Sequence, residues 1–212
     1  MKYSKTIFRW LGAAALGAIP LYLLAIRPWH LRWGATDEEL LRPMSGDDLC
    51  NSPHLDSTRA ISIHATPEQI WPWLVQIGRG RAGWYSYDFI DNRGQRSAHR
   101  ILPDFQHLRV DDYVPTGNGR GFRVAHVDPH HFLVLELAPG ATWAVGLYPV
   151  SNSATRLVSR IRVRWNLRDP KEAVVAAIVD PGDFVMMRKM MLGIKRRAEA
   201  LAREEAENMS FI

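Results

Sequence analysis

Two histidines, a tyrosine and an aspartate are the side chains of this sequence best suited to acid–base chemistry. His99 and His107 lie in a stretch without regular periodicity, and Tyr85 and Asp88 precede it. Imidazole, phenol and carboxyl groups are common general acids and bases in enzymes. Tyr87 and Asp88 are a weaker hypothesis for a proton-transfer pair, because adjacent residues seldom face the same way.

The sequence carries no recognisable metal or cofactor motif. Cys50 is the only cysteine, and none of the eight histidines has the spacing of a helical zinc motif. Gly117, Gly119 and Gly121 precede a predicted strand, whereas a phosphate-binding loop leads into a helix N-terminus. We therefore predict neither a metal nor a cofactor.

A second group of side chains is suited to holding an apolar molecule. Aromatic rings with polar edges can orient such a ligand, and flexible methionines adapt to ligands of different shape. The alternative is that these side chains only fill a core. The predicted ligand-binding residues are Trp73, Trp84, Tyr85, Tyr87, Trp143, Phe184, Met187, Met190 and Met191.

The net charge of +5 comes from the beginning of the chain. Five of the 27 basic residues precede residue 35 and no acidic residue does, which leaves 22 basic and 22 acidic residues for the remainder. A neutral remainder does not favour nucleic-acid binding. The basic residues instead flank an apolar stretch, which favours a membrane.

That stretch, Ile7 to Ile26, contains Arg9 as its only charged residue. About 20 helical residues cross a bilayer core, so we predict a single-pass anchor within residues 1–33. A cleaved signal peptide is the alternative. The distribution of basic residues slightly favours a cytoplasmic N-terminus, with the domain outside the cytoplasm.

The last long helix is predicted over 180–207. Asp180 can cap its N-terminus, and Pro181 suits the first helical position. Apolar residues then recur every three or four positions, which predicts one buried side. The boundaries that follow are an anchor at 1–33, a tether at 34–57, a domain at 58–207 and a tail at 208–212.

Within the domain, the pattern predicts an α+β fold. A strand at 58–64 is followed by a helix that begins with a Thr66/Gln69 capping box, and by a second short helix at 86–92. Residues 93–115 are irregular, with short strands and loops. Four strands are predicted at 122–127, 132–137, 141–150 and 155–167.

Four arginines share one face of the last predicted strand: Arg156, Arg160, Arg162 and Arg164. We expect this face to be solvated and paired with acids such as Glu136. Binding to anionic lipid headgroups is the alternative.

The chain resembles the SRPBCC superfamily, also called START-like or helix-grip proteins, which includes polyketide cyclase and dehydratase relatives. It is most similar to a bacterial branch with an N-terminal hydrophobic segment. The resemblance spans about residues 34–207 and rests on STRAISIHATPEQIWPWLVQIG, AGWYSYDFIDN, RILPDFQHLRVDD and MMRKMMLGIKRRAE. It implies a curved antiparallel sheet wrapped around the terminal helix, with an elongated apolar cavity between them. It also implies that residues 84–87 lie near the cavity mouth.

Three functions are consistent with these patterns. The first is a membrane-tethered domain that binds a lipid, isoprenoid or polyketide-like molecule without chemistry. The second is a cyclase- or dehydratase-type enzyme, with His99, His107, Tyr85 or Asp88 as acid or base. The third is a membrane-anchored interaction domain whose core is filled.

Overall fold

The protein is built on one antiparallel sheet. A computed structural model describes residues 20–117 and 119–210, and in these residues six strands are arranged in the order β1-β6-β5-β4-β3-β2. The strands are β1 (Leu55–Ile63), β2 (Tyr113–Gly117), β3 (Arg120–Asp128), β4 (Phe132–Ala138), β5 (Ala141–Ser151) and β6 (Ala154–Val163). The four predicted consecutive strands correspond to β3 through β6, and β2 is a short strand in the irregular stretch.

The sheet has two apolar faces, because successive side chains along a strand point to opposite sides. The inner face carries the main core, which includes Ile61, Val145 and Leu157. The outer face carries a smaller core, which includes Ala60, Ala144 and Val158. Register shifts occur in the pairs β2–β3, β3–β4, β4–β5 and β5–β6. Such irregularities bend strands and curve the sheet.

The helices of the described residues are α1 (Arg27–Leu31), α2 (Asp37–Leu41), α3 (Pro67–Val75), α4 (Asp88–Asp91) and α5 (Pro170–Met209). A π-helical turn covers Tyr22–Ile26, and 3-10 turns cover Asp47–Leu49 and Pro103–Phe105. The capping box predicted at the start of α3 is confirmed, with Thr66 and Gln69 as its partners. The two short helices α3 and α4 follow the first strand, as predicted.

Helix α5 packs on α3 and on the edge strand β1. Its 40 residues correspond to a length of about 60 Å. The prediction that it begins at Asp180 is wrong, since its N-cap is Asp169, whose carboxylate accepts a 2.9 Å hydrogen bond from the Lys171 N–H. Asp180 instead lies inside the helix and accepts a 2.7 Å hydrogen bond from Arg27 Nε. The buried side of α5 includes Met187, Met191, Ile194 and Ala198.

The segment before β1, predicted as a tether at 34–57, lies along the outer face of the sheet. Met44 is buried in the outer core with Val134, and the buried Cys50 thiol donates to the Gly140 carbonyl at 3.1 Å. Thr36 caps α2, and Glu39 completes a capping box there. These contacts hold the segment against β4, β5 and β6.

This segment covers the arginine-bearing face of β6. Arg160 is only 3% exposed, and it donates to Asp47 Oδ2 at 2.7 Å and to Thr58 Oγ1 at 2.9 Å. Arg156 donates to Glu39 at 2.6 Å. The prediction of a solvated arginine face is therefore wrong at Arg160. The alternative, a lipid headgroup site on this face, lacks free guanidinium groups at Arg156 and Arg160.

The chain preceding the tether also packs on the domain where it is described. His30 is buried, and its carbonyl accepts a 2.8 Å hydrogen bond from Arg59 Nε. In the two described ranges, no helix combines the length and the apolar character needed to cross a membrane. Residues 1–19 of the predicted anchor lie outside those ranges, as do residues 211–212 of the predicted tail.

Candidate functional site

An apolar cavity of about 600 Å³ lies between the inner face of the sheet and the first half of α5. The loop that leads from α3 to α4 closes one side. We call this space the apolar cavity, and its principal lining residues are Trp84, Phe122, Trp143, Ile161, Met186, Met187 and Met190. The helix and the curved sheet thus leave a space between them, as the resemblance implied.

Three aromatic rings form one wall of the apolar cavity. The ring centroids of Trp84 and Phe122 are 6.1 Å apart, those of Trp84 and Trp143 are 6.3 Å apart, and those of Phe122 and Trp143 are 5.9 Å apart. Trp143 Nε1 donates to the buried Ser159 hydroxyl at 2.9 Å. Tilted and edge-on contacts at these distances are favourable, so the three rings stabilise one another. The hydrogen bond to Ser159 fixes the orientation of the Trp143 indole.

Methionines of α5 form the opposite wall. Met187 and Met190 are buried, and Met186 is half-buried beside them. The Ser86 hydroxyl donates to the Met186 carbonyl at 3.1 Å and ties the loop to the helix. Unbranched thioether side chains change rotamer at low cost. This wall can therefore adapt its shape while the aromatic wall stays fixed.

Asp91, at the end of α4, is the most unusual polar group lining the apolar cavity. Both carboxylate oxygens are buried without a hydrogen-bond partner among the described residues. Burial, with a contribution from the charge of Asp88, raises the pKa of Asp91 to about 6. The nearby Ser86 hydroxyl lowers the pKa of Asp91 somewhat, but it donates to the Met186 carbonyl. A ligand hydroxyl or amine would therefore supply Asp91 with a donor at hydrogen-bond distance.

Asp183 is a second carboxyl group at the apolar cavity. Burial raises the pKa of Asp183, whereas the guanidinium of Arg59 opposes that rise. Arg59 is almost fully buried and donates to Asp183 at 2.6 Å. Asp183 thus has a counter-ion, which distinguishes it from Asp91.

A second cavity of about 750 Å³ lies between the other side of α5 and residues 85–101. We call it the polar cavity. Three of the predicted catalytic residues line it, namely Tyr85, Asp88 and His99. His107 is exposed and lines neither cavity. The four catalytic candidates are therefore not brought together in the apolar cavity.

Tyr85 and Asp88 both form hydrogen bonds within the protein. Gln76 Nε2 donates to the Tyr85 hydroxyl at 2.7 Å, and burial raises the pKa of Tyr85 to about 12, so this phenol stays protonated at neutral pH. The Asp88 carboxylate accepts bonds from the Ser97 N–H at 3.1 Å and from the Ser97 hydroxyl at 2.5 Å. Asp88 therefore holds the loop before residue 101.

The predicted ligand-binding residues divide into five locations. Trp84, Trp143, Met187 and Met190 line the apolar cavity, and Trp73 and Tyr85 line the polar cavity. Met191 is fully buried in the core. Phe184 packs against Trp29 and His30. Tyr87 lies next to Lys189, whose ammonium is 4.9 Å from the ring centroid.

Two lining residues that sequence reasoning did not select are Phe122 and Asp91. Phe122 begins a predicted strand, and its alternation with Val124 indicates an inward position. Asp91 is the last residue of the four-residue helix α4, Asp-Phe-Ile-Asp, whose sequence shows no sign that its carboxyl group is buried. Among the described residues, no group of three histidine, cysteine or acidic side chains could hold a metal ion.

The curved six-stranded sheet, the paired short helices after β1 and the long terminal helix define an α+β helix-grip fold with a cavity between sheet and helix. No family model matches the sequence, and no curated protein matches it.

Several solved structures are similar to this chain at low sequence identity. A conserved protein of unknown function from Enterococcus faecalis is 10% identical, with 74% of this chain and 88% of that chain covered and a TM-score of 0.44. A protein from Thermobifida fusca is 14% identical, with 69% and 94% covered and a TM-score of 0.46. A Polyketide_cyc-like protein from Corynebacterium glutamicum is 13% identical, with 73% and 93% covered and a TM-score of 0.39.

Proposed function

We propose that the protein binds an apolar small molecule, of lipid, isoprenoid or polyketide-like character, in the apolar cavity. The observation that carries this proposal is a space of about 600 Å³ between an aromatic wall and a methionine wall. Small-molecule sites commonly have volumes of about 300–1,000 Å³ and mostly apolar linings. The fixed rings orient the ligand, and the methionines accommodate differences in its shape.

Asp91 orients one polar group of that molecule. Its buried carboxyl oxygens have no partner at hydrogen-bond distance among the described residues, so a ligand hydroxyl or amine placed beside Asp91 gains a hydrogen bond. The remainder of the ligand contacts Trp84, Trp143 and Met187. The preferred ligand is therefore an amphiphile with one small polar group, and not a pure hydrocarbon.

The N-terminal segment holds this domain at a membrane. Its apolar stretch runs from Ile7 to Ile26. The described part of that stretch carries exposed Leu23 and Leu24, and exposed Trp29 follows it. A ligand of low water solubility is available mainly in a bilayer, so attachment to the membrane places the domain close to its ligand. Fractionation of cells that express the full chain tests this, since recovery in the soluble fraction would contradict it.

A second candidate function is a cyclase- or dehydratase-type enzyme, and Asp91 is the observation that favours it. A carboxyl group with a pKa of about 6 can donate or accept a proton near neutral pH. The test needs the ligand first. Conversion of that ligand to a product of different mass or different chromatographic retention on incubation with the wild type, absent with Asp91→Asn, would support catalysis, and an unchanged ligand would leave binding as the function.

Native mass spectrometry of the full chain, purified in a non-ionic detergent, tests the proposed binding. We expect a retained apolar compound that organic extraction releases for identification. A protein that carries nothing, and takes up nothing from a panel of lipids and neutral fluorescent probes, would contradict the proposal and support an interaction domain that binds no ligand.

A further inference from the structure

The polar cavity carries an excess of positive charge. Five cationic side chains line it, namely Arg96, Arg100, Lys189, Arg196 and Arg197, against the two acids Asp88 and Glu204. The lysine and arginine ion pairs found among the described residues use other cations. Asp88 accepts hydrogen bonds from Ser97 and forms no ion pair with these cations, so with Glu204 it leaves an excess of three positive charges at the cavity.

Arg197 is held in place at this cavity by neutral groups. Its Nε donates to the Ala98 carbonyl at 2.8 Å, and its Nη1 donates to the Gly193 carbonyl at 3.1 Å. Its guanidinium carbon lies 4.3 Å from the ring centroid of Tyr85. Carbonyl oxygens and an aromatic ring fix the orientation of a guanidinium without cancelling its charge. Arg197 is thus a positioned cation with Nη2 available for a further acceptor.

The Tyr85 hydroxyl is an unused donor beside this cation. Gln76 Oε1 accepts a 2.8 Å hydrogen bond from the Leu102 N–H, which directs the amide nitrogen of Gln76 toward Tyr85. The Tyr85 hydroxyl therefore accepts from Gln76 at 2.7 Å, and its own proton is left for another group. Trp73, which also lines the cavity, has a buried Nε1–H with no acceptor among the described residues.

We propose that the polar cavity binds an anionic small molecule whose phosphate or carboxylate group is held by Arg197, with Arg100 and Arg196 at the rim. Guanidinium groups match the geometry of such oxyanions. The volume of about 750 Å³ accommodates more than a single phosphate ion. This site does not depend on the apolar cavity, which lies on the other side of the loop at Ser86.

The test is isothermal titration calorimetry, which measures the affinity of the full chain in a non-ionic detergent for inorganic pyrophosphate. Arg100 and Arg196 are exposed, so Arg100→Gln/Arg196→Gln removes two cations without disturbing the core. The matched control is Arg168→Gln/Arg203→Gln, which removes the same charge at exposed positions outside the cavity. We expect the first pair to weaken binding at least tenfold and the control to change it less than twofold.

The source of the anion is distinguished by competition. Short-chain phosphatidylglycerol that displaces pyrophosphate, where short-chain phosphatidylcholine does not, supports a site for an anionic lipid headgroup. If neither lipid displaces pyrophosphate, the result supports a site for a soluble anion. Absence of pyrophosphate binding to the wild type, or an equal loss in the control variant, would overturn the proposal, and neither result would bear on ligand uptake by the apolar cavity.

Discussion

Replacement of Ala141 with tryptophan tests whether the apolar cavity takes up ligand. Ala141 lies on the inner side of β5, two residues before Trp143, and it lines the apolar cavity. It is half-buried, so a larger side chain can extend into the empty space without displacing the packed core. The substituted indole should therefore compete with ligand for the same volume.

The size of the effect follows from the atoms displaced. Tryptophan adds nine side-chain heavy atoms to those of alanine. Each ligand atom that they exclude contributes about 0.3 kcal/mol for a ligand of drug size, so the loss is about 2.7 kcal/mol. This corresponds to roughly a hundredfold weaker affinity.

The assay is fluorescence titration with Nile red, a neutral probe that does not favour the cationic polar cavity. The control is Val150→Trp, on the same strand, because Val150 is 69% exposed and lines neither cavity. Urea denaturation establishes that both variants are folded. A folded Ala141→Trp protein that binds Nile red as tightly as the wild type would refute the assignment of the cavity.

Three further predictions concern the residues around the two cores. Arg160→Met should reduce the free energy of unfolding by about 2–4 kcal/mol, because the Thr58 hydroxyl and the Glu39 and Arg42 carbonyls lose their donor. Asp47 keeps Arg162 as a partner at 3.5 Å. Urea denaturation showing a loss below about 1 kcal/mol would contradict these contacts. Asp91 has a pKa of about 6 when folded, against 3.8 for the unperturbed group. The folded state therefore retains a proton between these values, and stability falls as the pH rises from about 4 to about 6. Asp91→Asn should remove this pH dependence and be about 1 kcal/mol more stable than the wild type at pH 7, after allowance for solvent screening; parallel pH profiles in thermal denaturation would contradict it. Gly193→Ala places a Cβ 2.5 Å from the Tyr85 carbonyl oxygen, so it should cost about 1–3 kcal/mol despite the better helix propensity of alanine; a more stable variant in chemical denaturation would contradict this close approach.

The sequence predicted those parts of the fold that local patterns determine. Alternating residues identified β3 through β6, and Thr66 with Gln69 identified the start of α3. These signals depend on side chains within a few positions of one another, so they can be read without knowledge of the tertiary structure.

The start of α5 shows where local patterns fail. Asp169-Pro170 and Asp180-Pro181 both have the composition of a helix start, and only the first acts as one. Arg27, 153 residues earlier, donates a hydrogen bond to the carboxylate of Asp180. No local pattern contains that contact, so the sequence alone does not distinguish the two sites.

The burial of the arginine-bearing face of β6 was missed for the same reason, because it depends on contacts between residues far apart in the sequence. The spacing of its arginines indicates which side they share, but only the tertiary structure shows that residues 36–50 cover Arg160. At the candidate site, composition selected Trp84, Trp143, Met187 and Met190, which line the apolar cavity, together with five residues that do not, and it did not select Phe122. It did not identify Asp91, because the burial of its carboxyl group depends on how α4 lies at the apolar cavity.

The measurement that tests the central claim most directly is photo-crosslinking of the full chain with a neutral alkyl alcohol that carries a diazirine, followed by peptide mapping. We expect labels on Met186, Met187 or Met190 of α5 or on Trp143 of β5, which line the apolar cavity, and loss of those labels in Ala141→Trp. Labels confined to other surfaces, or equal labelling of the wild type and Ala141→Trp, would contradict it.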